Sequence, residues 1–214
     1  MSRMASLFFG VDPDFRKTAI AVFRKSLHHD TNHKDLIDLR VVESSEFSIP
    51  NVAYGAHSAI YSHLISARTA ETLEVTVEDP QIYLAKGPAR HGDIMRLAQI
   101  AAAVASVASM FPDVRAIRMP TPQQWKGSVP KEIHQARILS RLGVPYDVVK
   151  GKTSGYCVPK VDGLGGAWAA PRAKGEWKHL VDAIGLALWG MAQAEDVFRL
   201  GIKTDTGNLI SYRR

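Results

Sequence analysis

The chain predicts an α/β fold built on a mixed five-stranded sheet, with its first three strands antiparallel and helices flanking it. Three observations lead there. Two short apolar runs, Leu7 to Val11 and Thr18 to Phe23, are separated only by a turn at Pro13-Asp14. A third run, Leu36 to Glu43, follows a polar turn across His28 to Lys34. Further on, Leu73, Val75 and Val77 alternate with Glu74, Thr76 and Glu78, which is the period of a strand. Helical and strand-like patterns then alternate, giving the order β-β-β-α-β-α-β-α.

The elements follow from local signals. A helix is expected from about His57 to Ala70, before the strand Leu73 to Glu78. Gly92-Asp93 opens a long helix to Phe111, with Asp93 as its cap. Leu97, Ile100, Val104, Val107 and Phe111 recur along it at helical spacing, and other apolar residues lie off that stripe, so it is expected in the core or at a subunit interface. Val114 to Met119 reads as the fifth strand, and Pro130 to Leu142 as a helix with proline near its start. The segment 146–178, rich in Gly and Lys, reads as a basic irregular excursion. His179 to about Arg199 is a final helix, and a polar tail occupies 200–214. The whole of 1–214 is expected to be one domain.

Composition narrows the function classes. Of 214 residues 22% are charged, with a net charge of +6, and this excess favours an anionic partner, nucleic acid first. The single cysteine, Cys157, excludes an internal disulfide and suits a reducing compartment. The N-terminal apolar run is too short for a signal peptide, and Arg96 and Gln99 interrupt the long apolar helix, so neither export nor a membrane span is expected. The expected location is the cytoplasm. "KGKTS" at Lys150 to Ser154 has Tyr146 where a phosphate-binding Walker loop needs glycine, so no nucleotide cofactor is expected.

Three acidic positions stand where metal chemistry would want them. Asp12 ends the first strand, Glu78 ends the fourth, and Asp182 lies early in the last helix with His179 three residues before it on the same face. Each has an ordinary alternative: a turn aspartate, a solvated strand-end charge, a helix-dipole partner. Together they form a set of oxygen donors of the kind Mg²⁺ accepts, and two such ions suffice for phosphodiester hydrolysis.

The pieces "GVDPDFRKTAIAVF", "VTVEDPQIYLAKGPARHGDIMRLAQIAAAVAS", "MPTPQQWKGSVPKEIHQARIL" and "HLVDAIGLALWG" resemble, in order, the RuvC-like Holliday-junction resolvases of the RNase H superfamily, over most of residues 7 to 195. "WKGSVPK" looks most like phage-type members. The resemblance implies an RNase H-like sheet and assigns Asp12, Glu78, His179 and Asp182 as catalytic and metal-binding residues. It implies nicking of DNA with two Mg²⁺ ions, or Mn²⁺ in their place, leaving a 5′-phosphate and a 3′-hydroxyl. It also implies a homodimer that cuts opposed strands of a four-way junction, with the helix Asp93 to Phe111 at the dimer contact, in a bacterial or phage-infected cytoplasm. One departure is Asp14, which stands where the family usually has glycine.

Phosphate contacts are expected from Lys86, Arg90, Lys126, Lys131 and Lys152, and base stacking at the crossover from Tyr83. Trp125 reads as core, and the basic residues of the late excursion, Arg172 among them, as further phosphate contacts. The alternatives are a flap- or fork-cutting nuclease of the same fold and a non-catalytic junction-binding protein. Clustered negative charge near phosphate gains nothing for binding alone, which favours an enzyme.

Overall fold

A computed structural model of the chain describes residues 5–14, 16–26, 31–43, 48–66, 72–80, 91–151, 154–170, 172–200 and 209–210. The first three strands are β1 (Ala5–Asp12), β2 (Lys17–Ser26) and β3 (Leu36–Glu43), paired antiparallel in sequence. Helix α1 (Ile49–Ser66) follows, then β4 (Thr72–Val77), α2 (His91–Ser109) and β5 (Val114–Arg118). β4 pairs parallel with β1, and β5 parallel with β4. The expected five-stranded mixed sheet is therefore present, in the order β3-β2-β1-β4-β5.

Helices cover both faces, and strand alternation decides which side chain goes where. Leu7, Phe9 and Val11 of β1 pack with Val52, Ala56 and Ile60 of α1 and Ile100 and Val104 of α2. Phe8 faces the opposite layer, formed by α4 (Lys131–Arg141) and α5 (Trp177–Leu200). Among the described residues, no helix is long and apolar enough to cross a membrane.

Several boundaries and assignments differ from expectation. α1 begins at Ile49 rather than near His57, because Ser48 Oγ accepts from the Asn51 amide (3.4 Å) and Pro50 sits in the first turn, where a missing N–H costs nothing. α2 turns Ile100, Ala101, Val104 and Ala108 to the core and leaves Met95 61% exposed, as is Met110 (74%) just past its end, so the helix is in the core on one side and open to a subunit contact on the other. A short helix absent from the reading, α3 (Pro122–Lys126), is set by a Thr121–Gln124 capping box with proline at its first turn.

The segment 146–178 is not irregular. It contains an antiparallel hairpin, β6 (Tyr146–Lys150) and β7 (Gly155–Pro159), and two 3₁₀ turns. It is anchored in the α4–α5 layer by buried Cys157, Trp168 and Trp177. Arg172, expected on phosphate, donates instead to the Leu39 and Ala167 carbonyls and lies over the Trp177 ring. In the polar tail, Leu209–Ile210 forms a two-residue edge strand, β8, antiparallel to β5.

Candidate active site

Asp12 is the last residue of β1 and, by alternation, lies on the α5 side of the sheet, buried at 7% exposure. The parallel register pairs Val11 with Val77, and the Glu78 amide donates to the Val11 carbonyl at 3.0 Å, so Glu78 leaves β4 beside Asp12. The two acidic residues are thus set side by side by backbone hydrogen bonds.

α5 brings the other two groups. A Cβ placed on Gly10 would lie 2.0 Å from the Ala183 carbonyl oxygen and 2.4 Å from the Ala187 amide nitrogen. Only a residue without a side chain lets the α5 backbone come this near the sheet. Gly10 is two residues before Asp12 on the same face, and Ala183 directly follows Asp182, so this contact sets the spacing of the site. His179 Nδ1 donates to Asp12 Oδ2 at 2.8 Å, and its Nε2 lies 3.7 Å from Asp14 Oδ2. Asp14 is held by the turn itself: its Oδ1 accepts from the Arg16 and Lys17 amides (3.0 and 3.3 Å), and Thr18 Oγ1 donates to its carbonyl (3.0 Å).

The remaining acids are met by α3 and α4. Glu78 Oε2 accepts from Trp125 Nε1 at 2.8 Å and from Lys126 Nζ at 3.3 Å. Burial, then the neighbouring charge of Asp12, pushes the Glu78 carboxyl up to about 7, against the opposing pull of Lys126. Asp182 Oδ2 pairs with Lys131 Nζ at 2.5 Å, and its Oδ1 accepts from Gln135 Nε2 at 2.8 Å. Burial works to raise the Asp182 carboxyl, but the ammoniums of Lys131 and Lys126 bring it below its ordinary value. Burial likewise disfavours the Lys131 ammonium, and the charges of Asp182, Asp12 and Glu78 outweigh it, so its affinity for the proton rises. Lys131 is therefore a counter-ion to all three acids.

Asp12, Glu78, His179 and Asp182 come together as the sequence indicated. Lys126 and Lys131 are at the same place, but their ammoniums lie on carboxylates. Tyr83, Lys86, Arg90 and Lys152 lie outside the described residues. Trp125 is core, as read, and its indole N–H also anchors Glu78. Asp14, singled out in the sequence for standing where the family usually has glycine, both holds the turn and puts charge beside His179, whereas Gln135 escaped the sequence reading. The signal for Gln135 was present, since it precedes Ile138 and Leu139 by three and four residues and so lies on the apolar face of α4.

Among the described residues, no three His, Cys, Asp or Glu side chains are grouped closely enough to form a ready metal cage. The donor set nonetheless suits a hard cation. Two buried carboxylates, Asp12 and Asp182, converge with the partly buried Glu78, whose carboxyl is pushed up to about 7; lysine ammoniums meet Glu78 and Asp182, and His179 meets Asp12. Mg²⁺ needs few protein oxygens and keeps most of its water, so a loose carboxylate set fits it better than a closed cage would.

These features, an antiparallel β1–β3 meander extended by parallel β4 and β5 with carboxylates at the β1 and β4 ends facing a long C-terminal helix, define an RNase H-like fold of the RuvC kind. The chain is similar to the Thermus thermophilus RuvC structure in complex with a Holliday junction substrate, with a TM-score of 0.55 and 17% identity over 90% of this chain and 96% of that one. It is likewise similar to a Thermus thermophilus RuvC structure at TM-score 0.53 and 18% identity, over 89% of this chain and 96% of that one. No protein-family model matches the chain, and no curated protein sequence does.

Proposed function

We propose that this protein is a metal-dependent, structure-selective DNA endonuclease that resolves four-way junctions by paired nicks. The observation that carries the reading is the convergence of Asp12, Glu78 and Asp182, with His179 on Asp12, at one end of a RuvC-like sheet. A buried excess of negative charge is costly unless it serves a cation. The similar Thermus structure is in complex with a Holliday junction substrate, which supports branched DNA as the ligand class.

In this reading Asp12, Glu78 and Asp182 hold two Mg²⁺ ions, or Mn²⁺ in their place. Bound metal supplies water activation and stabilisation of the leaving oxygen at neutral pH. The chain's own residues do the rest. His179, oriented by Asp12 through Nδ1, holds or moves a proton at the edge of the site. Lys126 and Lys131 exchange their carboxylate partners for the scissile phosphate, so that positive charge remains where phosphate charge builds up. Tyr83, Lys86, Arg90 and Lys152 are assigned to the DNA. The products are a 5′-phosphate and a 3′-hydroxyl.

Symmetric cutting requires two copies. The α1–α2 layer exposes Tyr54, Tyr61 and Ile65 on α1, Met95 on α2 and Met110 just after it, an apolar surface suited to an isologous contact. A phage-type enzyme acting in a bacterial cytoplasm fits "WKGSVPK" and the single cysteine.

The test uses labelled four-way junction, flap and linear duplex, each with and without Mg²⁺ or Mn²⁺, for the wild type and Asp12→Asn. Metal-dependent junction nicks absent from the variant are expected. Equal cutting of flaps and forks would move the reading to a general debranching nuclease.

A further inference from the structure

Gln135 is wholly buried, and three hydrogen bonds meet on its amide. Nε2 donates to Asp182 Oδ1 at 2.8 Å and to the Lys178 carbonyl at 2.9 Å, while Oε1 accepts from the Cys157 amide at 2.9 Å. The three partners agree on one orientation. A backbone N–H can only donate, and a carbonyl and a carboxylate oxygen can only accept, so flipping the amide would set acceptor against acceptor and donor against donor. Both side-chain N–H groups of Gln135 are used.

The consequence falls on Asp182. Its Oδ1 is taken by a neutral donor on the protein side, which leaves Oδ2 directed at Lys131 Nζ, the cation facing Asp12 and Glu78 as well. The amide orientation in turn depends on β7, since Cys157 lies in that strand and its Sγ also reaches the Glu132 carbonyl at 3.3 Å. The β6–β7 hairpin, read in sequence as an irregular excursion, thus has a backbone group two hydrogen bonds from a carboxylate of the site.

We propose that Gln135 is a positioning residue that fixes which oxygen of Asp182 is presented to the cation, and that the β6–β7 hairpin sets this geometry through the Cys157 amide. The inference rests on the nuclease reading above. An orienting partner behind a metal-binding carboxylate characteristically governs affinity for the ion, and losing it weakens binding by about 10- to 100-fold.

The experiment compares full-length wild type, Gln135→Met, Gln135→Asn and Asp182→Asn. Mn²⁺ affinity is read by electron paramagnetic resonance, junction binding by gel shift in EDTA, and junction cleavage as kcat and KM separately. Gln135→Met keeps the volume and removes all three hydrogen bonds. Gln135→Asn keeps the amide but is one methylene too short to reach all partners, and it carries the measurement if the Met variant does not fold. The expected result is Mn²⁺ affinity about 10-fold weaker or more in the Gln135 variants, with kcat lowered, KM for the junction held and EDTA binding unchanged. A lowered melting temperature with unchanged Mn²⁺ affinity would make Gln135 merely structural and overturn the proposal. If Asp182→Asn loses Mn²⁺ while the Gln135 variants keep it, this inference alone fails. If Asp182→Asn keeps it too, the metal-site reading fails and takes the inference with it.

Discussion

Glu78 is the residue where charge balance is least settled, and its titration gives the site a pH signature. Its carboxyl is raised from 4.5 to about 7 by burial and by Asp12, so between those values the folded protein binds a proton that the unfolded chain has released. Stability from this group is therefore present at low pH and is lost as pH rises from about 4.5 through 7. Glu78→Gln should stabilise the metal-free protein at pH 8 by about 2 kcal/mol and leave it nearly unchanged at pH 4, as urea unfolding at the two pH values would read. Cation affinity should rise over the same window, because ligation needs the carboxylate. Lys131 offers the complementary case. Lys131→Met leaves the Asp182 carboxylate, 3% exposed, without its ammonium, a loss of about 3 kcal/mol. Added Mg²⁺ should then raise the melting temperature more in the variant than in the wild type, since the ion no longer competes with an ammonium. An equal shift in both would contradict the counter-ion role.

At the scale of elements, the close approach of α5 to β1 governs the site. Gly10→Ala introduces a Cβ that would lie 2.0 Å from the Ala183 carbonyl, and neither backbone can yield without moving helix from sheet. Destabilisation of about 3 kcal/mol is expected, together with a loss of cleavage larger than reduced folded population explains, because His179 and Asp182 retreat from Asp12. Comparing activity per folded molecule with thermal unfolding separates the two effects. The same elements explain what was legible in sequence. Asp12 and Glu78 could be found because strand alternation fixes the face of each side chain and a strand end fixes its depth. His179 and Asp182 could be found because a spacing of three is enough to share a helix face. The hairpin β6–β7 could not, because its strands are only five residues long and Val148 is 58% exposed, so no apolar alternation marks them. The start of α1 was missed because Ser48-Ile49-Pro50 reads as a turn unless proline is credited as a first-turn residue. Gln135 was missed because a polar residue on an apolar stripe declares its partners only once α4, α5 and β7 are packed.

At the scale of the whole molecule, a three-layer sheet with helices on both faces leaves two unlike surfaces. The α4–α5 side carries the acids with their lysines, and the α1–α2 side exposes Tyr54, Tyr61, Ile65, Met95 and Met110. A chain that cuts two opposed strands would use the first surface on DNA and the second on its copy. Light scattering should give twice the 23.5 kDa chain mass for the wild type and a single chain mass for Tyr61→Glu combined with Ile65→Glu. A monomeric wild type would assign the apolar layer another role.

The central claim is that the Asp12, Glu78, His179 and Asp182 cluster hydrolyses junction DNA with a metal. The most direct measurement follows a supercoiled plasmid that extrudes a four-way junction, in Mg²⁺ and in EDTA, for the wild type and Asp12→Asn. Paired nicks within one bound complex convert the circle to linear DNA, and this product is expected only for the wild type with metal. A protein that binds the junction tightly and leaves the circle supercoiled in both Mg²⁺ and Mn²⁺ would contradict the claim.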